Sequence, residues 1–413
     1  MSVFHNRSFI FLSATVALAT SFALQTVVSG EIEGHFSYGE RSYSWIGEKL
    51  SDVSRLTWSN SLYIAIGTLL AGCASVRFSL PLFFAIGAAI VLLGLTGVFV
   101  STSPVLIEIS MLFVGLGLGT SGFPLIMAIV GVLSPARRRL TTLMSVFAVA
   151  LAAEFFLWPS SSRVSALLED HANSIFLSLG VVLAISGVGL IFAFRKAEAE
   201  NPVERPSLAE AWSQISKNSN FWIFAFSVFV VGFFAEYVGT YLQSVNVTGT
   251  SDEALKVSAI IGFISYLSLI SAGWFGHMFP VKRAVATLHL LSVIAMILYV
   301  FAPLPFQPGL FLSTVIGLAW LSTALLVSYL AVDIFGTRYL GLLFGAFYFA
   351  HYLGQTSNGL LTDLILHLMG EIDLAWYFTI ILGTVAAYLQ KHLVERRPED
   401  LQSTMRVNRI LSK

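Results

Sequence analysis

Runs of about twenty apolar residues recur along almost the whole chain, and they limit the possible folds more than any other feature. A helix needs about 20 such residues to cross the hydrocarbon core of a bilayer. Charged residues make up only 11% of the chain, whereas soluble domains carry about 25%. Twelve runs are long enough, at 9–29, 57–76, 80–100, 104–133, 140–159, 174–194, 221–243, 257–279, 284–303, 308–332, 339–366 and 374–390. The sequence therefore predicts an all-α membrane protein with twelve transmembrane helices.

The positions of lysine and arginine predict the orientation of these helices. Cytoplasmic connections carry an excess of both residues. With a cytoplasmic N-terminus, 18 of the 23 basic residues fall on the inner side and five on the outer side. We therefore predict that both termini are cytoplasmic and that the protein spans a bacterial inner (plasma) membrane several times. The first run resembles a signal peptide, but the eleven later runs favour an uncleaved first helix.

The chain divides into two halves of six runs each. The longest cytoplasmic connection, 195–220, separates them, and "AGCASVRFSLPL" in the first half resembles "AGWFGHMFPVKR" in the second. We predict two pseudo-symmetric six-helix bundles, 1–194 and 221–390, followed by a basic cytoplasmic tail, 391–413. Within the linker, "SLAE" (207–210) has the pattern of a capping box, which indicates either a short surface helix or a solvated connection.

One face of the eleventh run is polar, although the rest of that run is apolar. Four polar residues are spaced i, i+4, i+7 and i+11, so they lie on one side of a helix. They are His351, Gln355, Asn358 and Thr362, which we call the polar stripe. His351 lies about 20 Å past Arg338 on a helix, near the middle of the membrane. A lone histidine is often only a packing residue, but a stripe needs a polar cavity or polar neighbours, and we predict that its first three residues bind substrate.

Two acidic residues stand in the outer halves of their runs at similar depth. Glu154 lies about 22 Å past Arg139, and Glu236 lies about 24 Å past Asn220. A charge at the bilayer centre costs about 2.5–3.5 kcal/mol on insertion scales, so such residues usually face a cavity. The alternative is a protonated acid that hydrogen-bonds to a neighbouring helix. Glu154, Glu236 and His351 are therefore candidate proton-coupling residues, because a cavity-facing carboxyl can take up and release protons and an imidazole is readily switched near neutral pH.

Further polar and aromatic residues in other runs are candidates for substrate contact. With Glu236 they are Gln25 in the first run, Tyr241 beyond Glu236 in the seventh, and Trp320 in the tenth. Nothing in the sequence predicts a metal or another cofactor. The single cysteine, Cys73, excludes a disulfide framework and offers no zinc spacing. The net charge of zero gives no reason to expect nucleic acid as a partner.

Two long segments carry a family resemblance. "FGTRYLGLLFGAFYFAHYLGQTSNGLLTDLI" and "FWIFAFSVFVVGFFAEYVGTYL" resemble the eleventh and seventh helices of the major facilitator superfamily, particularly its monocarboxylate and oxalate/formate-type branch. The resemblance implies alternating access around a midplane site that these two helices line. It also implies an inner gate in the loop after the second run, which we assign to Gly72 and Arg77, with Gly273 in the second copy. That loop departs from the family pattern, because Val76 replaces an acid.

Two functions follow from these features. The first is a secondary transporter of a small organic solute, with protons as the second partner and the bilayer as its surroundings; we expect it to be a monomer. The alternative is a non-transporting member of the same fold, acting as an assembly factor or sensor, which the altered inner loop favours. An intramembrane enzyme is not indicated, since the chain has no H-E-x-x-H motif. Because no predicted span contains lysine or arginine, we predict a neutral, zwitterionic, cationic or at most monoanionic substrate.

Overall fold

The described part of the chain consists of helices and the short turns between them, as the computed structural model shows. It comprises residues 9–21, 23–24, 51–101, 103–134, 139–157, 174–192, 207–248, 263–264, 267–268, 270–271, 280–301, 308–369 and 373–393. The helices are α1 (Phe9–Ser21), α2 (Ser51–Ala74), α3 (Leu80–Val100), α4 (Pro104–Ser121), α5 (Phe123–Leu133), α6 (Arg139–Leu157), α7 (Ser174–Phe192), α8 (Leu208–Ser216), α9 (Ser219–Thr248), α10 (Val281–Phe301), α11 (Pro308–Phe335), α12 (Leu340–Met369) and α13 (Asp373–Leu389).

Most apolar runs form helices close to the predicted bounds. Helix α3 matches its run to the residue, and α13 differs from its run by one residue at each end. Within the described residues, five segments are long and apolar enough to cross a membrane, and α4 and α5 together form one of them. Helix α2 is an exception to the predicted bounds, because it begins at Ser51 rather than at 57 and so includes Arg55 in its first turns. The eighth run, 257–279, lies almost entirely outside the described residues.

The fourth run is broken where one continuous span was expected. Helices α4 and α5 meet at Gly122, whose backbone is extended at φ −87° and ψ −165°. Pro124 lies two residues later and has no N–H to donate to the preceding turn, so the first helix ends before it. Proline suits the first turn of the helix that follows. The break brings Phe123 against α12, where its ring centroid lies 4.7 Å from that of Tyr348.

The helices differ in how much of their apolar surface is covered. In the most apolar 18-residue stretch of the segment that α4 and α5 form together, 83% of the residues are buried. The corresponding share is 33% in both α3 and α7. Large apolar side chains on the outer helices are exposed, for example Leu93 on α3, Ile185 on α7 and Leu291 on α10. Exposed leucine and isoleucine in a helix of this length suit the lipid phase.

The linker contains the short helix that the capping-box pattern allowed. The Ser207 side chain caps α8 by accepting a hydrogen bond from the Glu210 backbone N–H at 3.2 Å. Two contacts fix α8 against the second half of the chain. The Tyr339 hydroxyl donates to Gln214 at 2.9 Å, and the Trp212 ring stands edge-on to Phe221 of α9. The linker helix therefore packs beside the first turn of α12.

Helix α12 occupies the position that matters most for the site. It packs against α2 on one side and α9 on another, and it also contacts α5. Helices α2 and α5 belong to the first half of the chain, whereas α9 and α12 belong to the second. The stripe-bearing helix therefore lies where the two halves of the sequence meet.

Candidate substrate and proton site

The polar stripe is buried between helices. His351, Asn358 and Thr362 are all buried, and Gln355 is half-buried. Polar side chains inside a membrane protein are costly unless they have partners or line a polar space. What surrounds each of these residues therefore decides what it can do.

His351 lies against α9 through a very close helix contact. A Cβ atom at position 232 would overlap the carbonyl oxygen of His351, so only glycine allows the two backbones to approach this closely. The His351 Nδ1 atom is 3.4 Å from the carbonyl oxygen of Val228. A carbonyl can only accept, so Nδ1 carries the hydrogen, and Nε2 is the acceptor of the neutral ring. The side chain is thereby held in one orientation and one tautomer.

Gln355 connects the stripe to the first half of the chain. The Ser61 hydroxyl on α2 donates to Gln355 Oε1 at 3.3 Å. This hydrogen bond joins residues 294 positions apart in the sequence, across the junction between the halves. A change in the relative position of α2 and α12 at this level would have to break it.

Asn358 is completely buried, and its two amide atoms differ in their partners. Its Oδ1 accepts a hydrogen bond from the Thr362 hydroxyl at 3.2 Å. Its Nδ2 has no hydrogen-bond partner in the part of the chain that the structure describes. A buried donor left without a partner costs about 1–3 kcal/mol. Such a group requires a physical explanation, and a ligand or a second conformation is one.

Glu236 lies on α9 at the level of the stripe. It is buried and follows Gly232 by four residues, so it stands about 6 Å further along the same helix face. Since Gly232 touches His351, and α9 and α12 run in the same direction, Glu236 lies near the level of Gln355. A carboxyl group and an imidazole thus lie about one helical turn apart on neighbouring helices.

The structure describes less of the remaining predicted site residues. Gln25 lies outside the described residues. Glu154, Tyr241 and Trp320 lie in α6, α9 and α11, but only the backbone of these three is described. Their assigned roles in binding and coupling remain predictions.

The predicted inner gate contains a contact that the sequence analysis did not identify. A Cβ on Gly72 would lie 2.9 Å from the Cα of Gly345, so α2 and α12 touch backbone to backbone there. Ser75 packs against Gly341 one turn further on. The sequence does contain a signal for this contact. The glycines of "GLLFG" at 341–345 are four residues apart, and small residues at that spacing are typical of close helix pairs.

The other gate residues lie around this contact. Arg77 is exposed in the turn between α2 and α3, and the neighbouring Val76 is buried. Gly273 lies outside the described residues. In the described part of the predicted gate, α2 and α12 are therefore held together by glycine packing beside the buried Val76.

Replacing Gly232 by alanine is expected to destabilise the protein strongly. The new methyl group would overlap the His351 carbonyl, and α9 and α12 would have to separate. Overpacking of this kind costs typically 1–3 kcal/mol. Gly189→Ala on α7 is the matched control, since a Cβ there makes only ordinary contacts at 3.6 Å or more. Thermal melting of the purified variants checks this, and equal melting temperatures would contradict the close contact.

Several solved structures share this fold. The human organic anion transporter MFSD10 (TETRAN) aligns with 93% of this chain and 98% of its own, at 16% identity and a TM-score of 0.68. FucP, a Major Facilitator Superfamily transporter in the outward conformation, covers 94% and 100% of the two chains at 13% identity and a TM-score of 0.65. The E. coli fucose:proton symporter FucP also aligns at a TM-score of 0.65, with 12% identity over 94% and 98%. Identities this low establish the fold alone.

The sequence itself matches a family profile. The profile of the Major Facilitator Superfamily matches residues 10–357, which is well over half of the chain. A comparison with curated protein sequences gives no significant match. The family match and the shared fold lead to one conclusion: this chain belongs to the Major Facilitator Superfamily and is an all-helical, multi-pass membrane protein with a transporter fold.

Proposed function

We propose that the protein is a secondary active transporter that moves a small organic solute by alternating access. The observation that carries this proposal is the Ser61–Gln355 hydrogen bond, which joins the two halves at a buried polar stripe. A static scaffold has no use for a buried amide donor that, like Asn358 Nδ2, has no partner among the described residues. A transporter that alternately opens and closes this junction would expose the same groups to solute.

The proposed architecture is two six-helix bundles, 1–194 and 221–390, joined by the linker 195–220, with both termini and the tail 391–413 in the cytoplasm. The exposed apolar faces support it. Of the five described segments of membrane-spanning length, the least buried are α3 and α7, the third and sixth spans of the first half, and α10, the third span of the second half. The same pattern in both halves is expected of a duplication. The bacterial inner membrane and a monomeric state complete the proposal.

Proton coupling is proposed to run through Glu236 and His351, with Glu154 as a further candidate. By helical rise, positions 236 and 351 lie about one turn apart along α9 and α12, and both side chains are buried. FucP is described as a fucose:proton symporter, which makes proton coupling a reasonable mechanism for this fold. Membership of the monocarboxylate or oxalate/formate-type branch rests only on the sequences of α9 and α12.

The proposed substrate carries little negative charge. The stripe contains no lysine or arginine, so a multiply charged anion would meet no cationic side chain there, and burying an unpaired charge is costly. MFSD10 is described as an organic anion transporter, and a monoanion is within the proposed range. Specific transport of a phosphate ester or a dicarboxylate would overturn this part of the proposal.

Solute uptake into proteoliposomes tests the proposed function. Purified full-length protein should take up at least one small organic solute above the level of empty liposomes, and an inward proton gradient should raise the uptake. A protein that binds partner proteins but moves no solute under any gradient would instead be an assembly factor or sensor.

His351→Ala is expected to weaken transport through the substrate step. Removing the imidazole removes the Nε2 acceptor and the contact with Val228, so KM should rise about tenfold for one lost hydrogen bond, and the pH optimum should shift. The measurement is the initial rate of uptake against solute concentration between pH 5.5 and 8. Alanine at His392, which lies outside the stripe and is exposed, is the matched control. An unchanged KM and an unchanged pH profile would remove His351 from the site.

A further inference from the structure

We propose that the polar stripe recognises an uncharged solute with several hydroxyl groups, the size of a small polyol or a monosaccharide. This proposal rests on the proposed transport function and specifies the substrate class for the same site. It follows from which atoms of the stripe remain able to donate or accept a hydrogen bond.

His351 offers an acceptor. Its Nδ1 faces the carbonyl oxygen of Val228, and a carbonyl oxygen accepts only, so the ring hydrogen lies on Nδ1. In the neutral imidazole the other nitrogen, Nε2, then has a lone pair and no hydrogen. The group that binds His351 must therefore be a donor, such as a hydroxyl.

The two amides of the stripe offer donors. The oxygen of Gln355 accepts from Ser61, and the oxygen of Asn358 accepts from Thr362. Each amide keeps its NH₂ group as a donor, and that of Asn358 is completely buried without a hydrogen-bond partner among the described residues. Along the helix axis the two amides stand about 6 Å and about 10 Å beyond His351. The stripe thus presents one acceptor followed by two donors over the length of a small sugar or polyol.

The charges near the stripe argue against charged solutes. Among the described residues of α9 and α12, the acid at the level of the stripe is Glu236, which is buried. A carboxylate ligand would meet that acid and no lysine or arginine among the stripe residues, so its desolvation would go uncompensated. An ammonium ligand could use Glu236 but would leave both amide donors without acceptors. A hydroxyl both donates and accepts, so adjacent hydroxyls can satisfy all three groups.

Aromatic rings beside the stripe provide surface for a carbon skeleton. The ring centroids of Tyr348 and Tyr352 lie 5.8 Å and 5.2 Å from that of His351, both edge-on to it. A ring face is apolar while its neighbouring amides are polar. This combination fits a molecule with hydroxyl groups on one side and C–H groups on the other.

Counterflow exchange in proteoliposomes tests the proposal with defined probes. The uncharged hydroxyl-bearing probes are D-glucose, L-fucose, D-xylose, myo-inositol and glycerol. The charged probes are L-lactate, L-alanine and ethanolamine. We expect exchange of at least one hydroxyl-bearing probe above empty liposomes and no exchange of the charged probes at pH 7.

Variants of the stripe complete the test. Gln355→Leu and Asn358→Leu should each raise the half-saturating concentration of the exchanged probe about tenfold, because each removes one amide donor. Ser357→Ala on the same helix, directed away from the stripe, should leave it unchanged. Gln355 is half-buried, so Gln355→Leu provides the measurement if Asn358→Leu yields too little folded protein.

The possible outcomes separate this proposal from the transport function. Exchange of a charged probe without exchange of any uncharged probe overturns the substrate class and leaves transport standing. Exchange of a sugar or polyol that neither leucine variant affects overturns the assignment to the stripe. No exchange of any probe, together with no uptake of any small organic solute into proteoliposomes, overturns the transport function and this proposal with it.

Discussion

Uptake driven by a proton gradient is expected to disappear when Glu236 is replaced by glutamine, while exchange of solute without a gradient persists. Glutamine keeps the size and hydrogen-bonding capacity of the side chain but cannot take up or release a proton. One charge moved through 100 mV corresponds to about 2.3 kcal/mol, or roughly fiftyfold accumulation. Solute accumulation by the variant should therefore fall by up to roughly fiftyfold. Its rate of solute exchange without a gradient should fall much less.

The control for Glu236→Gln is an acid-to-amide substitution elsewhere in the same protein. Glu108→Gln is suitable, since Glu108 lies in a membrane-spanning segment but is exposed. Steady-state accumulation is measured in proteoliposomes with an imposed proton gradient, and exchange is measured without one. If Glu236→Gln and His351→Ala both leave gradient-driven uptake and its pH profile unchanged, the stripe only packs helices together and the proton path is wrong.

The sequence predicted the elements of this fold better than their contacts. Apolar runs such as 80–100 gave helix positions directly, because the hydrocarbon core sets their length. The polar stripe could be predicted because four polar residues repeat at helical spacing. Its partners were not visible, since Val228 and Ser61 lie 123 and 294 positions away from the residues that they contact, and no local pattern encodes such distances.

Two features were missed although a local signal existed. Gly122 and Pro124 lie inside the fourth run, and that combination marks a probable helix boundary; the apolar composition of the run on both sides concealed the break. The "GLLFG" spacing at 341–345 indicated a close helix contact, but it did not say which helix would be the partner. Only the structure identifies α2, through Gly72 and Ser75.

The glycine contact between α2 and α12 leads to the second large effect that we expect. Gly345→Val should prevent the inner ends of these helices from closing. Even the first added carbon would lie 2.6 Å from the Cα of Gly72 and 2.7 Å from the carbonyl oxygen of Thr68, and neither backbone atom can move alone. A cost of about 1–3 kcal/mol shifts a two-state equilibrium by about 5–150-fold. Uptake should fall about fivefold or more by the same arithmetic, because the closed state becomes rare.

Labelling of the single cysteine, Cys73, tests this predicted gate. Cys73 is free, half-buried and next to Gly72, so its reaction with N-ethylmaleimide should accelerate when α2 and α12 separate. Gly345→Val should raise the labelling rate by about the same factor as the shift in the equilibrium, whereas Gly189→Ala should leave it unchanged. Labelling that stays slow while uptake is lost would mean that the variant blocks transport without opening the inner side. Unchanged labelling and unchanged uptake would mean that the α2–α12 glycine contact does not control the gate, and that closure depends on contacts such as that between Gly131 and Leu340.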